Sequence, residues 1–257
     1  MKFALINGIK TEAIKGAKGI CPSCGSELIA KCGEVIINHW SHKGNRNCDL
    51  WWENETEWHR AWKDNFPIEW QEVVQFDKNG EKHIADVKTD EGWVIEFQHS
   101  YLKPEERRSR NGFYKKIVWV VDGSRKRDLN QFQQVIDKSR FVPEINIPIR
   151  KVNYLDDSKL LNEWVETGVP VFFDFQELED SKLWFLLPNI SKRDTYLIPF
   201  SRKEFIELHR INGFDEVTNK ILPNIRIIIS SIERSNSLRT ANQIMNSSNK
   251  RKRSRRF

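Results

Sequence analysis

Long apolar runs are missing from this chain. No stretch of about eighteen apolar residues, enough to cross a bilayer, occurs in its 257 residues, so no membrane-spanning helix is expected. The opening "MKFALINGIK" turns charged at Lys10 and is too short an apolar segment for a secretory leader. The expected location is cytoplasmic, with no membrane partner. Cysteine is scarce as well. The four present, Cys21, Cys24, Cys32 and Cys48, sit in one segment. In a reducing compartment such a cluster suggests a metal before a disulfide. The body of the chain also lacks a charge excess. The formal net charge is +6, and the last nine residues hold six cations, Lys250, Arg251, Lys252, Arg253, Arg255 and Arg256, with no acid. The remainder balances, so overall basicity is no argument for a nucleic-acid-binding surface. No internal repeat is visible.

Aromatic residues are plentiful. Ten Trp and fifteen Phe equip the chain to pack a core. Residues 1–50 form an N-terminal element; a small strand or hairpin is expected in 1–20, and 21–48 is poor in apolar residues and needs a staple. Residues 51–150 form the core, 151–230 a further α/β extension, and 231–257 a basic tail expected to be disordered. In the core, Trp58, Trp62 and Phe66 recur at helical spacing and predict a helix over 52–66. Three strand-like runs follow, "IEWQEVVQF", "KHIADVK" and "WVIEFQ". Pro104 opens a polar helix, and "IVWVV" is an apolar strand. The expected order over 51–121 is α-β-β-β-α-β. Beyond it lie helices over 129–139 and 159–166, a strand over 146–152, paired strands "VPVFFDF" and "KLWFLLP", and a helix at Phe205–Arg210. No chemistry is read in 125–230.

The run "WVIEFQ" carries Glu96 and Gln98 among strand residues, on the face opposite Trp93, Ile95 and Phe97. Asp90-Glu91-Gly92 suits a three-residue hairpin loop with Gly92 left-handed. That loop pairs Thr89 with Trp93, Val87 with Ile95 and Asp86 with Glu96. Facing carboxylates destabilise a hairpin unless a cation sits between them, and hard cations such as Mg²⁺ take carboxylate oxygens. Glu55, His59 and Lys63 recur at i, i+4, i+8 beside the Trp stripe and can reach over the hairpin. Cys21-x2-Cys24 and His39-x2-His42 offer two ligand pairs for a tetrahedral, structural zinc, with Cys32 or Cys48 as replacements for a histidine. Arg107, Arg108, Arg110, Lys115 and Lys116 either contact phosphates or form a solvated face paired with Glu105 and Glu106. The terminal cations can raise nonspecific nucleic-acid affinity or simply solvate the tail.

Several of these stretches resemble the competence protein CoiA-like family. "CPSCG" with "HWSH" is similar to its zinc elements, "ETEWHRAWK" to its acidic helix, and "IADV" to its strand with a metal-binding Asp. "IEFQHS", "RNGFY" and "VWVVDG" resemble its E-F-Q-x-S strand, its R-x-x-x-Y helix end and its next strand, and together the stretches cover about 18–123. The resemblance implies an α/β fold: a PD-(D/E)XK, restriction-endonuclease-like αβββαβ core with an N-terminal zinc-finger-like element and a C-terminal extension. It implies Asp86 and Glu96 as ligands of Mg²⁺ or Mn²⁺ and Glu55 as the helical acid that supports the metal or a water. Gln98 stands where most PD-(D/E)XK enzymes have lysine. Lys63 or Lys88 would supply the cation, and His59 would be a general acid or a brace for Glu55. The expected function is a divalent-metal-dependent nuclease hydrolysing DNA phosphodiester bonds, in recombination, DNA uptake or phage defence. The alternatives are a non-catalytic DNA-binding or recombination module on the same scaffold, and an RNase. The expected partner is nucleic acid, DNA first; a protein partner or a second copy stays open.

Overall fold

The structure, a computed structural model, describes the chain except residues 35, 45–47, 52, 54, 177–181, 192–193 and 255–257, and omits the side chains of 126 and 246–254. It is a mixed α/β arrangement with two sheets. The first holds β1 (Phe3–Ile6), β2 (Ile9–Glu12), β3 (Lys18–Ile20), β4 (Glu27–Lys31) and β5 (His39–His42) in the order β2-β1-β3-β4-β5, antiparallel throughout. The expected N-terminal hairpin is present. Asn7 and Gly8 turn it with φ of 51° and 79°, the left-handed pair that a two-residue hairpin loop requires. Met1, Ala4, Leu28, Trp40 and Cys21 make its small core.

The second part begins with α1 (Glu57–Lys63). Thr56 caps it by accepting from the His59 backbone N–H at 3.2 Å, so the helix starts later than the aromatic spacing predicts. Glu55 therefore precedes the helix. Then come β6 (Gln71–Phe76), β7 (Lys82–Lys88), β8 (Val94–Gln98), α2 (Pro104–Phe113) and β9 (Ile117–Asp122), in the expected α-β-β-β-α-β order. The chain continues with α3 (Lys126–Lys138), β10 (Arg140–Phe141), β11 (Arg150–Val152), α4 (Lys159–Trp164), β12 (Val171–Asp174), β13 (Lys182–Leu186), β14 (Thr195–Ser201), α5 (Arg202–Arg210), α6 (Phe214–Glu216) and α7 (Leu222–Ser254). The strands form one nine-stranded sheet, β10-β11-β14-β13-β12-β9-β8-β7-β6. "VPVFFDF" and "KLWFLLP" do pair, antiparallel, and β12 also lies parallel to β9. The segment 151–230 thus extends the same sheet.

Alternation in β8 divides the core. Ile95 and Phe97 pack with Trp62, Phe172 and Phe205 under α1 and α5. Val94 packs on the other face with Trp119, Phe132 and Leu161 under α2, α3 and α4. One buried carboxylate pins the two ends of the chain together. Asp174 Oδ2 accepts from Trp58 Nε1 at 2.9 Å, Trp62 Nε1 at 2.8 Å and Arg202 Nη2 at 2.6 Å. A fully buried charge is tolerable with so many donors.

The segment 231–257, expected to be disordered, instead continues α7 as far as Ser254, with side chains 234–245 exposed. Leu222, Ile225 and Ile229 dock its first turns, and a docked helix propagates cheaply through residues without Gly or Pro. The side chains of the cations from Lys250 onward lie outside the described structure. Among the described residues no helix is long and apolar enough to cross a membrane.

His209, on α5, is 1% exposed; it donates from Nδ1 to the Phe205 carbonyl at 2.7 Å and stacks on Phe214. Burial lowers its pKa to about 4. The neutral ring is thus favoured in the fold, and the unfolded chain takes up the proton first as pH falls below about 6.5. Folding stability should drop by roughly 3 kcal/mol between pH 6.5 and 4 through this residue. Denaturant titrations of the wild type and His209→Phe check it. The variant should show a correspondingly shallower acid slope, and equal slopes would contradict the assignment.

Candidate active site and metal centre

The hairpin register is the expected one. Thr89 N–H bonds the Trp93 carbonyl at 2.9 Å, Val87 stands opposite Ile95, and Gly92 has a φ of 82°. That register sets Asp86 against Glu96, but the ladder ends there. Phe97 N–H is taken by Asp86 Oδ2 at 3.0 Å, so a side chain substitutes for the next backbone partner. Ala85 and Val87 then pack on opposite faces of the sheet, although residues two apart in a regular strand share a face. Glu72, opposite this point on β6, has a φ of 46°, uncommon for a residue with a side chain. The sheet is distorted where three acids meet, and such distortion clusters at functional sites.

These acids line a cavity of about 70 Å³. Its walls include Glu55, His59, Lys63, Asp86 and Glu96, five of the six residues expected at a catalytic site, together with Asp49, Glu53, Glu72 and Arg110. Lys63 stands at the centre of the anionic wall. Its Nζ lies 2.8 Å from Glu55 Oε1, 3.1 Å from Glu72 Oε1 and 3.9 Å from Asp86 Oδ1, with the ammonium 3% exposed. Burial opposes that charge, but the carboxylates of Glu72, Glu55 and Asp86 outweigh it and raise the lysine pKa. Glu72 also is buried, yet Lys63 and the backbone N–H groups of Lys2 and Phe3 bring it down to about 2.

Glu96 is the exception. It is 4% exposed, and its Oε2 meets Arg110 Nη1 at 3.1 Å. Its Oε1 is buried without a hydrogen-bond partner. Burial, then the neighbouring Asp86 carboxylate, push Glu96 up to about 8, with Arg110 offsetting only part. An orphaned carboxylate oxygen facing a second acid is the donor set a hard divalent cation takes, so the residues fit such an ion. Gln98 lies behind this wall. Its amide donates to Glu53 Oε1 and to the Ser100 carbonyl at 3.0 Å. His59 bridges α1 to β8: Nε2 donates to the Phe97 carbonyl at 2.7 Å, and Nδ1 is 2.9 Å from the Thr56 hydroxyl. Lys88 turns away to Gln75 at 2.7 Å, so of the two expected lysines only Lys63 lines the cavity. Of the α2 cations, Arg108 pairs with Glu105 at 3.2 Å, Arg107 lies over the Trp164 ring, and Arg110 is buried in the site.

The second cluster is in the N-terminal sheet. Cys21, Cys24, His42 and Cys48 bring ligand atoms within 4.8 Å of one another. Cys21 and Cys48 sulfurs are 3.6 Å apart, and Cys24 Sγ is 3.3 Å from His42 Nε2. No disulfide joins them. Ligands about 2.1–2.3 Å from one zinc ion would be spaced in this way. Burial and the Cys21 sulfur push the Cys48 thiol up to about 12, so three gathered sulfurs need a cation to ionise together. The set is Cys₃His, and His39 is not in it. The reason is periodicity. His39 and His42 fall within β5, where residues three apart point to opposite faces. His39 Nδ1 instead lies 2.9 Å from the Ile37 carbonyl, and Cys32 faces the Ala13 carbonyl.

One comparison with known proteins falls on the N-terminal element. Residues 7–50 match the family model described as Competence protein CoiA, N-terminal domain. The Competence protein CoiA of Bacillus subtilis (strain 168) is 24% identical over 147 residues, which is 52% of this chain and 39% of that protein. These two matches support the CoiA-like family. The chain spans well under half of that relative's length. No solved structure matches.

Sequence reasoning missed Asp49, Glu53 and Glu72. Glu53 stands two residues before Glu55 in "WENETEW", a doubled acid that could have signalled the site. Asp49 follows the ligand Cys48 and accepts from the Ile84 N–H at 2.7 Å and from His83 Nδ1 at 2.8 Å. That joins the N-terminal cysteine cluster to β7. A metal assay on purified variants tests the ligand set. His39→Ala should retain one zinc per chain and Cys48→Ser should lose it; zinc lost in His39→Ala and kept in Cys48→Ser would restore the two-pair assignment.

Proposed function

We propose that the chain is a divalent-metal-dependent nuclease of the PD-(D/E)XK type that hydrolyses phosphodiester bonds, with DNA as the first substrate. The observation that carries this reading is the pairing of Asp86 with Glu96 at a break in the hairpin, one carboxylate oxygen buried and unpartnered. The αβββαβ order around that pair supports it. So do the two CoiA matches, and the relative's name suggests a role in competence; recombination and phage defence are the other settings for such a fold.

Asp86 and Glu96 would hold Mg²⁺ or Mn²⁺, which when bound neutralises the phosphate and promotes ionisation of water. The remaining roles fall to this chain's own groups. Lys63, 3.9 Å from Asp86, takes the place of the motif lysine and supplies a fixed positive charge beside that carboxylate. Glu55 fixes Lys63 in position. Gln98 holds Glu53 at the cavity edge and orients it. His59 lines the cavity but has both ring nitrogens engaged, so it serves to set α1 against β8, leaving the proton transfers to other cavity groups. Arg110 keeps one oxygen of Glu96 in place.

Asp86→Asn and Glu96→Gln should each lower cleavage by at least roughly 10²-fold, the scale of losing one electrostatic contact in a buried site. Glu96→Gln should leave the melting temperature in metal-free buffer near neutral pH close to the wild-type value, because burial and Asp86 already push Glu96 up to about 8 and favour its neutral form. Cleavage of labelled single-stranded and duplex DNA and of RNA, with Mg²⁺ or Mn²⁺, reads this beside melting curves. Full cleavage in either folded variant would remove that residue from the site. Binding of DNA without cleavage by the wild type would favour a non-catalytic module.

A further inference from the structure

The molecule has a second cavity, larger than the first at about 200 Å³. It opens at the carboxyl ends of β8 and β9, between the starts of α3 and α4. Strands β8, β9 and β12 run parallel, and ligands of open α/β sheets gather outside such carboxyl ends. His99, the residue after Gln98, stands in its wall and is 39% exposed. Its Nδ1 lies 2.6 Å from Oδ2 of Asp122, a carboxylate with 1% exposure. The other oxygen of Asp122 accepts from Ser124 N–H at 2.9 Å and from Gln176 at 3.1 Å. Nδ1 therefore carries the hydrogen, and Nε2 makes no hydrogen bond among the described residues. Asp122 and His99 form an oriented pair with one ring nitrogen left for a ligand.

Arg125, Arg127 and Lys159 line the same cavity. Arg125 donates only to the His99 carbonyl, at 3.1 Å, and Arg127 has no ion pair among the described residues. Lys159 lies over the ring of Tyr101, which is 56% exposed. The carboxylates of Asp128 and Glu163 share the wall, so the lining is mixed in sign. Mixed charge beside an open aromatic plane suits a nucleotide, which brings an anion, hydroxyl and amine donors and a flat base, better than it suits bare phosphate. The two cavities adjoin. Ser100 lines the larger one and donates from Oγ to Glu53 Oε1 at 2.9 Å, and Glu53 lines the smaller.

We propose that the larger cavity is a nucleotide subsite for the unit next to the scissile bond, a role that rests on the nuclease reading above. The phosphate sits against Arg125 and Arg127, and His99, held by Asp122 through Nδ1–H, presents Nε2 to a hydroxyl or amine donor of the nucleotide. The base lies on Tyr101.

The probe is thymidine 5′-monophosphate, titrated calorimetrically into the full chain without divalent cation, so that the acid cavity repels it. The wild type should bind it more tightly than thymidine or inorganic phosphate. His99→Gln, which can still bond Asp122, and Arg127→Ala, at an exposed position, should each weaken binding about tenfold, the scale of one hydrogen bond to the ligand. Glu96→Gln should bind as the wild type does. No binding by the wild type at millimolar concentration, unchanged affinity in both subsite variants, or an equal loss in Glu96→Gln would each overturn the subsite. A parallel cleavage assay separates the two readings. If the wild type cleaves with Mn²⁺ while the subsite variants bind normally, the subsite alone fails. If nothing is cleaved but the binding pattern holds, the nuclease reading fails and a nucleotide site remains.

Discussion

Lys63 is a buried ammonium among three buried or half-buried carboxylates, and each belongs to a different part of the chain. Glu55 comes from the lead into α1, Glu72 from β6 and Asp86 from β7. Glu72 in turn accepts the backbone N–H groups of Lys2 and Phe3, at 2.7 Å and 2.9 Å, and so ties the N-terminal strand to the same point. Breaking a buried ion pair by removing one member costs about 3–5 kcal/mol, a large share of a domain's stability. The network therefore does two jobs. It joins the two sheets, and it holds Asp86 turned out of its ladder beside Glu96.

The distribution of compensation within the cavity separates structure from chemistry. Glu55 and Glu72 are balanced by Lys63, and Asp174 by two indoles and Arg202. Glu55 also leaves both oxygens without a hydrogen bond but has the Lys63 ammonium at 2.8 Å, whereas Glu96 has a cation on one oxygen only and the Asp86 carboxylate beside it. A fold selected for stability alone would satisfy its other oxygen or replace the acid. The Cys₃His cluster shows the same deficiency in sulfur. The two clusters are linked through Cys48 and Asp49, so an ion held by the cysteines would steady one wall of the acid cavity.

Much of this was legible in the sequence because the relevant signals are local. The loop Asp90-Glu91-Gly92 sets the hairpin register, and period-two alternation put Glu96 and Gln98 on one face. The helix at "EWHRAWK" followed from its aromatic spacing. Non-local facts were not legible. Arg110 read as a phosphate contact or a solvated residue, and only the packing of α2 on β8 turns it inward to Glu96. Asp174 is an ordinary strand end until the Trp58 and Trp62 indoles arrive from the far end of the chain. His39-x2-His42 read as a ligand pair on spacing alone. Once β5 spans both residues, alternation separates them and Cys48 completes the set.

The central claim is that Asp86 and Glu96 are held together to bind a hard divalent cation. Calorimetric titration of Mn²⁺ into zinc-loaded protein near neutral pH tests it without reference to any substrate. One Mn²⁺ should bind per wild-type chain, with binding abolished or weakened severely in Glu96→Gln and Asp86→Asn while the zinc content stays unchanged. No Mn²⁺ uptake by the wild type, or the same stoichiometry and affinity in both variants, would contradict the account.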